Sequence, residues 1–317
     1  MPDDAAFGLE SGFAIRSTEP DVSDEPLEFT GERFTPECSR EIWYEHYHRY
    51  AFARALVGGR RVLDAACGEG YGAALLAGAA ASVTGVDRSA PAIKHARERY
   101  PADNLDFQVA DCLDLPFDDD AFDCVISFET LEHLREQDRL LAGFRRVLGP
   151  GGFLLLSSPD RAVYSDRQGN DNPWHLRELY RGEFETLIAG HFPSCRLWGQ
   201  KLLFQSAIWS LAPAGGVSVL QSGPDGLVET AIPRHDPVYL LALCAVDEAS
   251  LPAPAAGLSL FDDADESVYE HYYHEIRKNM AAGELLAEKD RQLEALRSEL
   301  DAIPPRPGNW WRRLLGR

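Results

Sequence analysis

Residues 61–72, Arg-Val-Leu-Asp-Ala-Ala-Cys-Gly-Glu-Gly-Tyr-Gly, constrain the fold of this chain more than any other stretch. Val62 and Leu63 read as a buried strand. Gly68, Gly70 and Gly72 then permit a turn with torsions and ligand approaches that a Cβ obstructs, and residues 73–81 supply a small-residue helix able to lie close on a sheet. Such a strand, turn and helix opens a doubly wound α/β fold, and two ligand classes use it. A dinucleotide site asks for G-x-G-x-x-G/A, which Gly68, Gly70 and Ala73 satisfy, with Asp87 nineteen positions after Gly68 where a ribose-binding acid belongs. Asp64, four residues before Gly68, weighs the other way. A carboxylate at the strand's end repels a pyrophosphate and suits a cationic ligand.

From 61 to 158 strand and helix patterns alternate, as a parallel sheet with right-handed crossovers requires. Further strands are expected at 83–87, 105–109, 122–127 and 153–157, with helices at 91–100 and 134–148. Gly149-Pro150-Gly151-Gly152 is a strong stop for the second of these helices. A helix at 183–189 precedes two last strands, 195–204 and 237–246, with an irregular insertion at 215–236 between them. A chain of 317 residues accommodates one such domain with appendages.

Val62-Leu63-Asp64 with Cys67-Gly68-Glu69-Gly70 resembles the first motif of class I S-adenosylmethionine (SAM) dependent methyltransferases. Val83-Thr84-Gly85-Val86-Asp87, Asp111-Cys112, Phe122 to Ser127, and Arg145 to Gly152 with the strand behind it follow in that family's order, so the resemblance covers about residues 29–205. It implies an α/β, doubly wound, mostly parallel seven-stranded sheet with an antiparallel edge pair, with a helical lid before the first strand. It also implies SAM as cofactor. Gly68 and Gly70, with Ala66 in the same turn and Asp64 nearby, are then expected at the methionine part. Asp87 is expected to accept both ribose hydroxyls, Arg88 to border the adenine, and Asp111 to accept the adenine amino group beside the Cys112 backbone. Phe128, Glu129 and, from the lid, Arg49 complete the implied cofactor set. Asp87 and Asp111 also read as helix N-caps, a common use of Asp after a strand.

Methyl transfer is an in-line displacement governed by placement of the acceptor, and a hydroxyl acceptor must also lose its proton, usually to histidine. Phe128-Glu129-Thr130-Leu131-Glu132-His133 resembles the Glu-x-Leu-Glu-His run of small-molecule methyltransferases. That makes His133 the leading base, or else a histidine that orients the loop; His175 and His48 are the other candidates. No (Asp/Asn)-Pro-Pro-(Tyr/Phe) or Pro-Cys follows the fourth strand, and no catechol-type metal-ligand set is visible, so no metal is expected. An oxygen acceptor on a small molecule or glycan remains.

The rest of the chain divides by composition. Residues 1–28 are acidic and expected to be disordered. Residues 29–58 hold the aromatic helix at about 39–56, and Glu45-His46-x-His48-Arg49-Tyr50 resembles the lid segment of methyltransferases from bacterial surface-polysaccharide clusters. That helix either covers the pocket or simply packs its rings on the core. The domain proper is 59–250. Within it the polar loop 159–178, with Tyr164, Asn170, Asn172, Trp174, His175 and Arg177, suits a sugar or other hydroxylated acceptor. Residues 251–264 read as a linker, and 265–303 as a helix with Leu286, Leu293 and Leu300 at heptad spacing. This helix either packs on its own domain or forms a short coiled coil with a second copy or a glycosyltransferase. Residues 304–317, with Trp310, Trp311, Arg312 and Arg313, form a basic aromatic tail. It either contacts an anionic membrane face, packs on the domain or is merely disordered.

A net charge of -20 argues against nucleic acid as a partner. Six cysteines without Cys-x-x-Cys spacing, no signal-like opening and no run of 18 apolar residues point to the cytoplasm, with peripheral attachment at the inner face of the membrane as the alternative that the tail leaves open. Three functions follow: O-methylation of a sugar or glycan end, a methyltransferase-fold scaffold that recruits glycan-assembly enzymes, and NAD-dependent oxidoreduction. The acids at 64, 111 and 129 have no role in a dinucleotide site and favour the first.

Overall fold

A computed structural model describes residues 41–208, 217–223, 226–253, 257–264 and 266–302. The two expected tails, 1–28 and 304–317, lie outside them. Helix α1 (Glu41–Arg54) leads into β1 (Arg61–Ala65), α2 (Tyr71–Ala77), β2 (Ser82–Asp87), α3 (Ala90–Arg99), β3 (Leu105–Val109), β4 (Phe122–Ser127), a 3₁₀ turn at Leu131–His133, α4 (Gln137–Val147) and β5 (Leu148–Pro159). The short α5 (Arg161–Tyr164), α6 (Arg181–Ala189), β6 (Ser194–Gln200), β7 (Val219–Gly223), β8 (Gly226–Thr230), β9 (Tyr239–Ala245) and α7 (Ser267–Ala302) follow.

Seven strands form one sheet in the order β3-β2-β1-β4-β5-β9-β6. β1 to β5 are parallel, and β9 runs against both β5 and β6. The reversal of strand order beside β1 places a crevice at the carboxyl ends of β1 and β4, where open α/β sheets hold ligands.

The side-chain period of two distributes the strands between two cores. Leu63, Ala65, Val125 and Leu154 meet Leu140, Phe144, Phe184 and Ile188 from α4 and α6 on one face. Val62, Ile126, Phe153 and Phe107 meet Tyr50 and Ala53 of α1, Leu76 of α2, and Ile93 and Ala96 of α3 on the other.

Three expectations need revision. The insertion is not irregular, since β7 and β8 form an antiparallel hairpin in which Gly226 adopts φ +104°. β5 starts at Leu148, directly after α4, so Gly149 to Gly152 end the helix but already belong to the strand. Leu286, Leu293 and Leu300 of α7 are exposed, so this part of the helix does not pack on its own domain. Its foot does, through buried Val268 and the edge of the Tyr272 ring on Phe204.

The expected linker is anchored as well. Phe261 sits among Trp43, Tyr44, Tyr47 and His48 of α1 at centroid distances of 5.3–5.6 Å. His48 Nε2 meets Ser259 Oγ at 3.0 Å. Asp263 N–H donates to the Tyr44 hydroxyl at 3.3 Å, and burial pushes that phenol up to about 12.

Candidate active site

A cavity of about 450 Å³ opens at the carboxyl ends of β1 to β4, within the ~300–1,000 Å³ common for small-molecule sites. One end is built by strand termini. After β1 the backbone turns through Ala66 (φ +62°) and Gly68 (φ +58°), and Gly68 N–H donates to Asp87 Oδ2 at 3.2 Å. The other Asp87 oxygen accepts Ser89 N–H at 2.8 Å. Ser89, not Asp87, caps α3, by accepting from Ala92 N–H. Asp111 Oδ1 accepts Leu113 N–H at 2.8 Å in a loop that no helix follows. The two acids thus hold their own turns and line the cavity, together with Arg88 and Cys112, whose thiol burial pushes up to about 12.

Asp64, Gly70 and Arg49 stand behind this wall rather than in it. Asp64 is fully buried, with the Tyr50 hydroxyl donating to its carboxylate at 3.1 and 3.3 Å, and burial raises its pKa to about 7. Tyr50 comes between Asp64 and the cavity because β1 points this side chain toward α1. A Cβ on Gly70 (φ +93°) lies 2.7 Å from Ala96 Cβ and from the Phe107 ring, so its bareness serves the packing of α2 against α3 and β3. Arg49 is buried, donates to Gln200 Oε1 at 2.8 Å, and lies 3.8 Å from Glu129 Oε1 and over the Tyr239 ring.

Loops and α1 build the other end. Phe128, Glu129 (φ +50°), Thr130, Glu132, His133 and Leu134 arrive from beyond β4. Tyr164 comes from α5, Asn172 and His175 from the loop after it, Tyr239 from the start of β9, and His46 and Tyr50 from α1. Ser157 Oγ donates to Glu129 Oε1 at 2.6 Å. His133 Nδ1 faces the Trp174 carbonyl at 3.0 Å; His175 Nδ1 faces Glu178 Oε1 at 2.5 Å, and its Nε2 faces Asn172 Nδ2 at 2.9 Å. The two imidazoles meet edge to face with centroids 5.0 Å apart. Glu132 is fully buried, and burial with nearby Glu129 pushes its carboxyl well above the carboxylate range. Burial keeps His46 well below the usual imidazole value.

Of the residues expected from the sequence, Ala66, Gly68, Asp87, Arg88, Asp111, Cys112, Phe128, Glu129, His133 and His175 converge on one cavity. His48 does not line it, and Trp174 contributes its carbonyl while its ring is exposed. Sequence reasoning missed Tyr50, Tyr71, Glu132 and Tyr239 as wall residues. Glu132 adjoins His133 in the motif after β4, which is its one signal in the sequence, and Tyr239 carries no local signal. Glu132, His133 and His175 bring ligand-type atoms within 4.8 Å of one another.

Residues 63–156, which span β1 to β5, match the family model described as a methyltransferase domain. The match is to this stretch and not to the chain as a whole. A probable S-adenosylmethionine-dependent methyltransferase of Mycolicibacterium smegmatis is 38% identical over 165 residues, covering 51% of this chain and 63% of its own length. A protein of the same description in Mycobacterium tuberculosis is also 38% identical, with 51% and 60% covered. A phthiotriol/phenolphthiotriol dimycocerosates methyltransferase of Mycobacterium ulcerans is 40% identical over 126 residues, with 38% and 46% covered. The chain therefore spans less than two thirds of these relatives. The matched stretch contributes the Asp87, Asp111 and Glu129 to His133 walls of the cavity, whereas α1, the loop after α5 and β9 lie outside the matched residues.

Proposed function

We propose that this chain is a SAM-dependent O-methyltransferase acting on a hydroxylated small molecule, a sugar or a glycan end. The observation that carries the reading is the division of one cavity into two chemically different ends. The strand-terminus end fits SAM. Asp87 and Asp111 are acceptors for hydroxyl and amino groups, the Ala66 to Gly68 backbone is bare enough for close approach, and Phe128 offers an apolar face. When bound, SAM supplies an electrophilic methyl group.

The residues of the chain do the remainder. Asp87 would orient the ribose, Asp111 the adenine, and the turn after β1 the methionine part. Tyr50, Tyr71 and Phe128 exclude water, and hydroxyl and amide groups of Tyr164 and Asn172 would orient the acceptor. His133, held by the Trp174 carbonyl, or His175, held by Glu178, would draw the acceptor's proton. An oxygen acceptor also agrees with the Mycobacterium ulcerans relative, whose name contains a triol.

Isothermal titration of the full chain with SAM and with NADH tests the cofactor; binding of NADH alone would overturn the reading. Conversion of SAM to S-adenosylhomocysteine with nucleotide sugars, lipid-linked sugars and long-chain triols then tests the acceptor. Turnover confined to amine acceptors would remove the O-methylation half.

A further inference from the structure

The acceptor end is arranged as a set of ligands as well as a set of proton acceptors. A carbonyl oxygen can only accept, so His133 Nδ1, 3.0 Å from the Trp174 carbonyl, carries the ring's proton in the neutral form and Nε2 carries a lone pair. His175 is fixed in the same sense. Its Nδ1 donates to Glu178 Oε1 at 2.5 Å, which leaves the Nε2 lone pair facing the Asn172 amide. Metal-binding histidines are oriented in this way, the far nitrogen donating to a carboxylate or a backbone carbonyl.

The third member is Glu132. One carboxylate oxygen accepts the Ser158 hydroxyl at 3.2 Å, while the other is buried, has no hydrogen-bond partner and lies 3.9 Å from His133 Nε2. An unpartnered oxygen on a fully buried acid is costly, and a cation removes that cost. Ligand atoms of the three residues already lie within 4.8 Å of one another. A tetrahedral set with bonds of ~2.1 Å has ligands about 3.4 Å apart, so side-chain movements of about an ångström complete it.

We propose that Glu132, His133 and His175 bind a divalent transition ion, with its open positions facing the cavity and taking the acceptor's hydroxyl oxygen. Two imidazoles and one carboxylate suit zinc, manganese or iron(II) rather than calcium or magnesium, which prefer all-oxygen ligands. This deepens the O-methyltransferase reading and rests on it for the acceptor's chemistry. Coordination acidifies the acceptor hydroxyl, whose proton passes to solvent water. Its oxygen then forms the bond to the methyl carbon as that carbon's bond to sulfur breaks, and the electron pair stays on sulfur. His133 is then a ligand rather than the base, and Asn172 releases His175 Nε2 on ion binding.

Cobalt(II) is the probe, since its visible absorption reports coordination without turnover. The full chain is stripped with chelator and titrated, with zinc competition as a second readout. The expected result is saturable binding of about one equivalent, weakened at least tenfold in His175→Ala and in Glu132→Gln and unchanged in His191→Ala, which removes a histidine outside the cluster. SAM titration of each variant reports whether the fold and the strand-terminus end survive. No saturable cobalt binding by the unaltered chain, or binding by both cluster variants as tight as by the unaltered chain, overturns the site. Cobalt binding without SAM affinity would instead keep the ion site and sink the methyltransferase reading. Full turnover after exhaustive chelation would sink the ion's role.

Discussion

Asp64, behind one end of the cavity, and Glu132, in the wall of the other, are both fully buried acids, and they are partnered in opposite ways. Both Asp64 oxygens lie within reach of the Tyr50 hydroxyl, whereas Glu132 has one oxygen on Ser158 and one with no hydrogen bond. The same difference runs through their surroundings. At the strand-terminus end, backbone N–H groups of Gly68, Ser89 and Leu113 already occupy acids, so the shape of that wall is set by the sheet itself. At the acceptor end, side chains from segments some forty residues apart are held by one another. A site can therefore be rigid toward the part of its ligand that never changes and leave binding capacity on the side that meets the variable one.

The largest expected effect tests whether Asp64 is as closed as it looks. Its folded pKa is raised from 3.8 to about 7 by burial. The folded state therefore holds a proton that the unfolded state has lost between these values. Stability from this group is complete below about pH 4 and falls as pH rises through about 7, by up to ~4 kcal/mol at about 1.4 kcal/mol per unit. Asp64→Asn should gain on the unaltered chain by about that amount from pH 4 to 7 in urea melts. A constant difference would show that Asp64 remains ionised.

Next comes His133→Ala, which should lower turnover about 100-fold or more while SAM affinity is nearly kept. An equal loss of SAM affinity would abolish the division into two ends. Asp87→Asn should do the reverse, weakening SAM about 10- to 100-fold through loss of charge-assisted hydrogen bonds of about 1.5 kcal/mol or more each. Retained affinity would mean that Asp87 serves only Gly68 and Ser89. The smallest effect is expected from ending the chain after Ala264, since α7 touches the domain only near its foot among the described residues. SAM affinity within about twofold by titration is the expected outcome, and a larger loss would extend the site beyond the sheet.

The same division decides what could be read from the sequence. β3 and β4 fall where alternation and flanking turns put them, and Asp87 and Asp111 stand at strand ends because local pattern determines strand ends. Asp64 was expected beside the ligand, yet a period of two says which face a residue takes and not that Tyr50, from another element, will stand in front of it. Gly70 shows a second limit: a glycine demanded by the Ala96 and Phe107 contacts looks, in sequence, like one demanded by a ligand. Leu176 and Arg177 N–H groups both donate to the Glu132 carbonyl and Gln137 Nε2 donates to the Arg177 carbonyl, which brings His175 to Glu132 and His133, and no spacing rule announces such a closure.

The Phe261 contact gives the molecule a mechanical property. Helix α1 carries His46 and Tyr50 into the cavity on one side and grips the segment before α7 on the other. Thirty-six residues at about 1.5 Å each make α7 a rod of roughly 54 Å. A tilt of about 5° at its foot carries the far end through roughly 5 Å. Any tilt at the foot is thus enlarged at the tip, and a fluorophore pair spanning the domain and that tip would report it.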